Sequence, residues 1–161
     1  DYVCGGVMNA GPERMLAAAR AGIPTVLAPG CVDMCNFWGM DSVPARYHGR
    51  NLYQWNPNVT LMRTTPEENV RIGEMIAAAA NAATGPVAVL LPRKGVSQLD
   101  SPGGMFWDPA ADAACYDTIK ANVKQGIPVI ELDCNINDPE FADKAVELLT
   151  AMLPSAGAAP D

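Results

Sequence analysis

The sequence predicts a three-layer α/β sandwich built on an open, mainly parallel sheet. Three observations point to it. A joint of glycine, proline and a β-branched run recurs at Gly22-Ile23-Pro24-Thr25-Val26, at Gly126-Ile127-Pro128-Val129-Ile130 and, more loosely, at Gly85-Pro86-Val87. Glycine takes the left-handed conformation that ends a helix, and proline cannot continue one, so each joint stops a helix and opens a strand. The strands that follow are short and apolar on both faces, as in a parallel sheet covered on both sides. Helical segments alternate with them, which calls for right-handed crossovers.

In chain order, Gly11-Pro12-Glu13 starts a first helix, and Thr25 to Ala28 form the first strand. The stretch from Gly30 to Arg63 is too long for a plain connector and is expected to hold function or a short extra strand near Val59 to Met62. Thr65-Pro66-Glu67-Glu68 is a capping box: the threonine hydroxyl and the glutamate side chain satisfy each other's backbone N–H groups. The helix it opens has Met75, Ile76, Ala79 and Ala80 on its apolar face. Val87 to Leu91 is the next strand. Asp108-Pro109 opens a helix with Ala113, Tyr116 and Ile119 inward, and Val129 to Leu132 is the third strand. Asp138-Pro139 opens the last helix, with Phe141, Ala145, Leu148 and Leu149 inward. The domain is expected to fill residues 1–154, with 155–161 a flexible tail. Three strand–helix units are fewer than half of a (β/α)8 barrel, so the open, Rossmann-like sheet is preferred.

The composition narrows the partners. A net charge of −7 over 161 residues gives no basic face for nucleic acid. No apolar run approaches the ~20 residues of a membrane span. The start at Asp1, without methionine or signal peptide, reads as a cut from a longer, two-domain protein whose N-terminal part is absent. Five cysteines at irregular spacing make a poor disulfide framework and fit a reducing cytoplasm. Cys31 and Cys35 read as small apolar residues at strand ends rather than zinc ligands, because no second pair follows and His48 is the one histidine. No metal site is expected.

Open parallel sheets bind ligands beyond the carboxyl ends of their strands. Three polar loops fall there, beginning at Gly30, Arg93 and Asp133. Arg93 and Lys94, followed by Gly95 and Ser97, can cradle a phosphate or carboxylate. Arg63, Thr64 and Thr65 at a helix N-terminus form a second anion candidate, although Thr65 is accounted for as a cap. Asp33 with Asn36, and Asp133 with Asn135, suit hydrogen bonding to a ligand's hydroxyl or amide groups. Asn137 and Asp138 follow, the latter also a helix cap. Asp33 and Asp133 are the carboxylates available as a general base. His48, between Arg46 and Arg50, offers little to a catalytic triad, and no Walker motif occurs.

The run Val59-Thr60-Leu61-Met62-Arg63-Thr64-Thr65-Pro66-Glu67-Glu68-Asn69 is the most specific part of a wider pattern. With Gly5-Gly6-Val7, Ala10-Gly11-Pro12-Glu13, Pro29-Gly30-Cys31-Val32-Asp33-Met34, Asn36-Phe37, Asn56-Pro57-Asn58, Gly95-Val96-Ser97 and Ile136-Asn137-Asp138-Pro139 it resembles the C-terminal domain of the Tm-one-like ATP-binding protein family. That family includes bacterial proteins of unassigned function and the inhibitory region of the tomato mosaic virus resistance protein. The resemblance implies the second domain of a two-domain protein, nucleotide binding by the full-length chain, with ATP held mainly by the missing domain, and self-association as a homo-oligomer. Trp55 and Asn135 stand where the family is expected to have histidine, which leaves an asparagine- and arginine-lined site rather than a histidine mechanism.

These residues support a small-molecule binding domain forming one wall of a nucleotide or anionic-metabolite cleft. Arg63, Arg93 and Ser97 would hold the anion, and Asp33, Asn36, Asn56, Asp133 and Asn137 would orient the rest. The alternatives are a hydrolase or lyase acting on a carboxylated small molecule through an aspartate base, and a structural oligomerisation domain.

Overall fold

The computed structural model describes residues 1–153. Residue 154 and the tail expected at 155–161 lie outside the described residues. The elements run α1 (Leu16–Arg20), β1 (Thr25–Leu27), β2 (Met34–Phe37), two 3-10 turns, β3 (Leu52–Asn56), β4 (Val59–Arg63), α2 (Pro66–Asn81), β5 (Val87–Pro92), α3 (Pro109–Asn122), β6 (Val129–Leu132) and α4 (Pro139–Met152).

The three strands opened by glycine–proline joints form one parallel sheet in the order β1-β5-β6, with Thr25 beside Val87 and Val89 beside Val129. Gly22 and Gly126 hold the positive φ values, +70° and +95°, that the helix stops require. Successive residues of β5 point to opposite faces. Val89 and Leu91 pack with Ile76 and Ala80 of α2 and Cys115, Tyr116 and Ile119 of α3. Leu90 packs with Phe141 of α4 and with Cys134. Helices therefore cover both faces, giving the three layers expected.

Beside this sandwich lies a second sheet, antiparallel, in the order β2-β4-β3. Only β4 was expected of it, and β4 runs one residue further than expected, to Arg63. One face buries Cys4, Cys35, Phe37, Val43 and Met62 in a separate apolar cluster. Leu61 and Arg63 point the other way, and Arg63 Nε donates to the Phe106 carbonyl in the loop between β5 and α3.

Other expectations need correction. Residues 12–15 form turns, so α1 begins at Leu16 rather than at Pro12, and β1 stops at Leu27 rather than Ala28. Ala113 and Leu149 are exposed, not inward. On α3 Tyr116 and Ile119 are buried as expected, together with Ala111, Asp112 and Cys115. The capping box is present as expected: Glu68 N–H donates to Thr65 Oγ1 at 3.2 Å and Thr65 N–H to Glu68 Oε2 at 2.8 Å.

Candidate functional site

The three loops at the carboxyl ends of β1, β5 and β6 are joined by backbone hydrogen bonds. Cys31 N–H donates to the Val96 carbonyl at 2.9 Å, Ile136 N–H to the Gly95 carbonyl at 3.0 Å, and Lys94 N–H to the Cys134 carbonyl at 3.0 Å. Asn135 locks the junction. Its amide nitrogen donates to the carbonyls of Lys94, Ser97 and Asp100, and its Oδ1 accepts from Asn137. Its own N–H donates to Asp138, which therefore shapes this turn and makes no side-chain cap on α4. At Gly95, with φ at +108°, a Cβ would collide with the Asp100 carbonyl. Loop packing therefore requires that glycine.

Several expected ligand-binding residues are thus committed inside the fold. Ser97 is buried; its hydroxyl donates to Asp33 Oδ2 at 2.8 Å and accepts from the N–H groups of Leu99 and Asp100. Asp33 is fully buried, and its Oδ1 has no hydrogen-bond partner among the described residues. Burial pushes its carboxyl up to about 6; the Ser97 bond works against this and the Asp100 charge adds to it. Thr64 donates from its hydroxyl to the Val32 carbonyl and accepts from Arg63 and Asn69. Asn36 donates from its N–H and side-chain amide to the Asp1 carboxylate. Asn56 accepts from Asn58 N–H in the exposed β3–β4 turn, away from the three loops. Trp55, beside it, is 57 % exposed and stacks edge-on with Tyr53.

Arg63 is the largest departure from the sequence reading. It is 5 % exposed, and all three nitrogens of its guanidinium are occupied by the protein. Nε donates to Phe106, Nη1 to Thr64, and Nη2 to Asp112 Oδ1 at 2.8 Å and the Asp108 carbonyl, with Asp100 Oδ1 at 3.5 Å. Its guanidinium faces the protein interior. Burial, with the Asp100 charge adding, raises the Asp112 carboxyl to about 7 although Arg63 opposes the shift. Two interior carboxyls, Asp100 and Asp112, thus share one guanidinium, while Asp33 is buried on Ser97. Asp112 was legible as an interior residue: it precedes Cys115, Tyr116 and Ile119 at helical spacing.

Arg93 remains open. It follows the central strand β5, is exposed, and its side chain makes no hydrogen bond or ion pair among the described residues. Its neighbour Lys94 is engaged by Asp133 at 3.0 Å. Arg93 lines a groove of about 360 Å³ against α3 and β6, with Pro109, Asp112, Ala113, Tyr116, Asp117, Lys120 and Glu131. Lys120 Nζ is held by Asp117 at 3.0 Å and Glu131 at 3.2 Å. Tyr116 donates its hydroxyl to the Pro92 carbonyl at 2.7 Å, which fixes the helix against the strand end. Two larger cavities lie elsewhere. One, of about 580 Å³, sits at the strand starts around Gly85 and Gly126; the other, of about 470 Å³ and mostly apolar, lies between the N-terminal segment, β1 and α2. No group of three or more histidine, cysteine or acidic side chains among the described residues could hold a metal ion.

An α/β domain with an arginine exposed at the carboxyl edge of its parallel sheet is the class that fold and site define. The chain belongs to the family described as Uncharacterised protein family (UPF0261) C-terminal domain, which matches residues 1–153. It is 49 % identical over 148 residues to the UPF0261 protein RA0729 of Rhizobium meliloti, covering 91 % of this chain and 37 % of that protein. A UPF0261 protein of Clostridium tetani is 46 % identical over 154 residues, 95 % of this chain and 38 % of the relative. The ToMV resistance protein Tm-1(GCR237) of Solanum lycopersicum is 38 % identical over 156 residues, 96 % and 21 % respectively. The resemblance drawn from the sequence therefore holds. The chain spans less than two fifths of the length of these relatives.

Proposed function

We propose that this domain binds a small molecule and forms one wall of an anionic-metabolite cleft at the carboxyl edge of the parallel sheet, with Arg93 as anchor. The observation that carries the reading is the unengaged Arg93 guanidinium, held at the end of the central strand. Its neighbours Lys94, Ser97 and Asn135 are all bonded within the protein. The stitched loops favour binding, because a preorganised edge loses little conformational freedom when a ligand arrives. Asp133, Asn137 and Asp138 lie on the same loop cluster and would border the cleft rather than grip the anion. The aspartate-base reading gains little support: Asp33 is buried on Ser97 and Asp133 is paired with Lys94. ATP binding and self-association belong to this proposal only for the longer cytoplasmic protein, with the nucleotide held mainly outside this domain.

A charge-assisted hydrogen bond contributes roughly 1.5–3 kcal/mol, or about ten- to more than hundredfold in affinity. In the longer protein, a thermal-shift screen against nucleotides and small carboxylates identifies the binder, since a ligand that prefers the native state raises its stability. Arg93→Ala is expected to weaken that binder by at least about tenfold by calorimetry, and Arg93→Lys to recover part of the loss because the fork is gone. Unchanged affinity in the alanine variant, with the fold intact, would return Arg93 to a solvated turn.

A further inference from the structure

Phosphate groups are held in proteins by free backbone N–H groups, in turns or at helix N-termini, together with clustered positive charge. Around Arg93 many of those donors are taken by the protein itself, although the N-terminus of α4, beyond the Asn135–Asp138 turn, carries no side-chain cap. The α2 N-terminus is closed by Thr65 and Glu68, and the α3 N-terminus by the Asp108 carboxylate, which accepts from Ala110 and Ala111. In the loop after β5, the N–H groups of Arg93, Lys94 and Val96 donate to Leu132, Cys134 and Asp100. The side-chain charge is equally committed. Lys94 is held by Asp133, and Lys120 by both Asp117 and Glu131. Among the described residues, the groove beside Arg93 thus offers one uncommitted positive charge and a wall with two exposed carboxylates. A triphosphate would match one of its charges there and set the others against Asp117 and Glu131. A carboxylate matches Arg93 charge for charge, and its two oxygens fit the planar fork.

We infer that the anion taken by the Arg93 groove is a monocarboxylate rather than a phosphate or nucleotide, its body lying against Pro109 and Ala113. This rests on the anionic-cleft reading and narrows it. Benzoate, acetate, inorganic phosphate and ATP serve as probes, titrated by calorimetry into the longer protein and into its Arg93→Ala and Glu131→Gln variants. Arg93→Ala is expected to weaken a carboxylate probe by tenfold or more and to leave ATP affinity within twofold. Glu131→Gln, which removes one wall charge, is expected to strengthen phosphate binding while the carboxylate changes less. Binding of phosphate or ATP that falls tenfold in Arg93→Ala would overturn the inference and leave the cleft reading standing. Failure of both carboxylates to bind at millimolar concentration would also overturn the inference. Affinities indifferent to Arg93 for every probe would overturn both.

Discussion

Arg63 enters the interior with two acids that the chain supplies much later, Asp100 from the loop after β5 and Asp112 from α3. Taking charges out of water costs more than an isolated pair returns, so such a cluster persists only when the remaining donors and acceptors are satisfied. Here Phe106, Thr64 and the Asp108 carbonyl complete the guanidinium. The carboxyls remain in excess, and this gives the stability a pH dependence with a definite sign. Asp33 at about 6 and Asp112 at about 7 both lie above the ordinary aspartate value of 3.8. Between roughly pH 4 and 7 the folded chain therefore binds more protons than the unfolded chain. Stability is expected to fall as pH rises through this window, by at most about 1.4 kcal/mol per pH unit for each proton released. Glu68 acts in the opposite sense and lower down: burial disfavours its charge, but its bonds to Arg50 and Thr65 prevail and hold it low, so its contribution is lost only below about pH 4.5. Urea melts across pH 4 to 8 measure this. Asp112→Asn, which keeps an acceptor for Arg63, should flatten the slope, and an unchanged slope would move the titration elsewhere.

The elements that the sequence made legible are those punctuated by local chemistry. The glycine–proline joints mark β1, β5 and β6, and Thr65, Asp108 and Asp138 mark helix starts, because stops and caps are decided within four residues. The antiparallel sheet carries no such marks. β3 alternates poorly, with Gln54, Trp55 and Asn56 all exposed, and β2 is held in place by pairing with a distant strand. The pairing of α2 with α3 was also hidden. Gly73 lies at a tight contact between the helices: a Cβ there would stand 2.6 Å from the Cys115 carbonyl oxygen and 2.9 Å from Thr118 Cβ. Helix propensity alone makes Gly73→Ala stabilising by about 1 kcal/mol. Overpacking costs about 1–3 kcal/mol. The structure therefore expects a net loss of up to about 2 kcal/mol in a denaturant melt. A gain would show that the helices separate at little cost.

Across the whole molecule, the meeting of the three loops at the carboxyl edge followed from topology alone, since parallel strands end on one side of their sheet. The roles of individual side chains there were not legible. Arg63 and Arg93 look alike in sequence, each following an apolar strand. What separates them is the set of partners, which only the folded chain brings to Arg63 and withholds from Arg93. The strand order has one more consequence, in time rather than space. Each pairing of the parallel sheet joins distant segments, Thr25 waiting for Val87 and Val89 for Val129, whereas β3 and β4 close over the two-residue turn Pro57-Asn58. Long loops are entropically slow to close, and distant pairings form late. During refolding of the longer protein, pulse-labelled hydrogen exchange should find amides of the β3–β4 hairpin protected before that of Val89, which donates to Pro128. Protection of Val89 first would mean that the parallel core nucleates the domain. If the hairpin leads, each newly made chain passes through an interval in which Leu90 and its strand are still bare, and the same apolar run that later anchors Arg93 is the segment most exposed to aggregation.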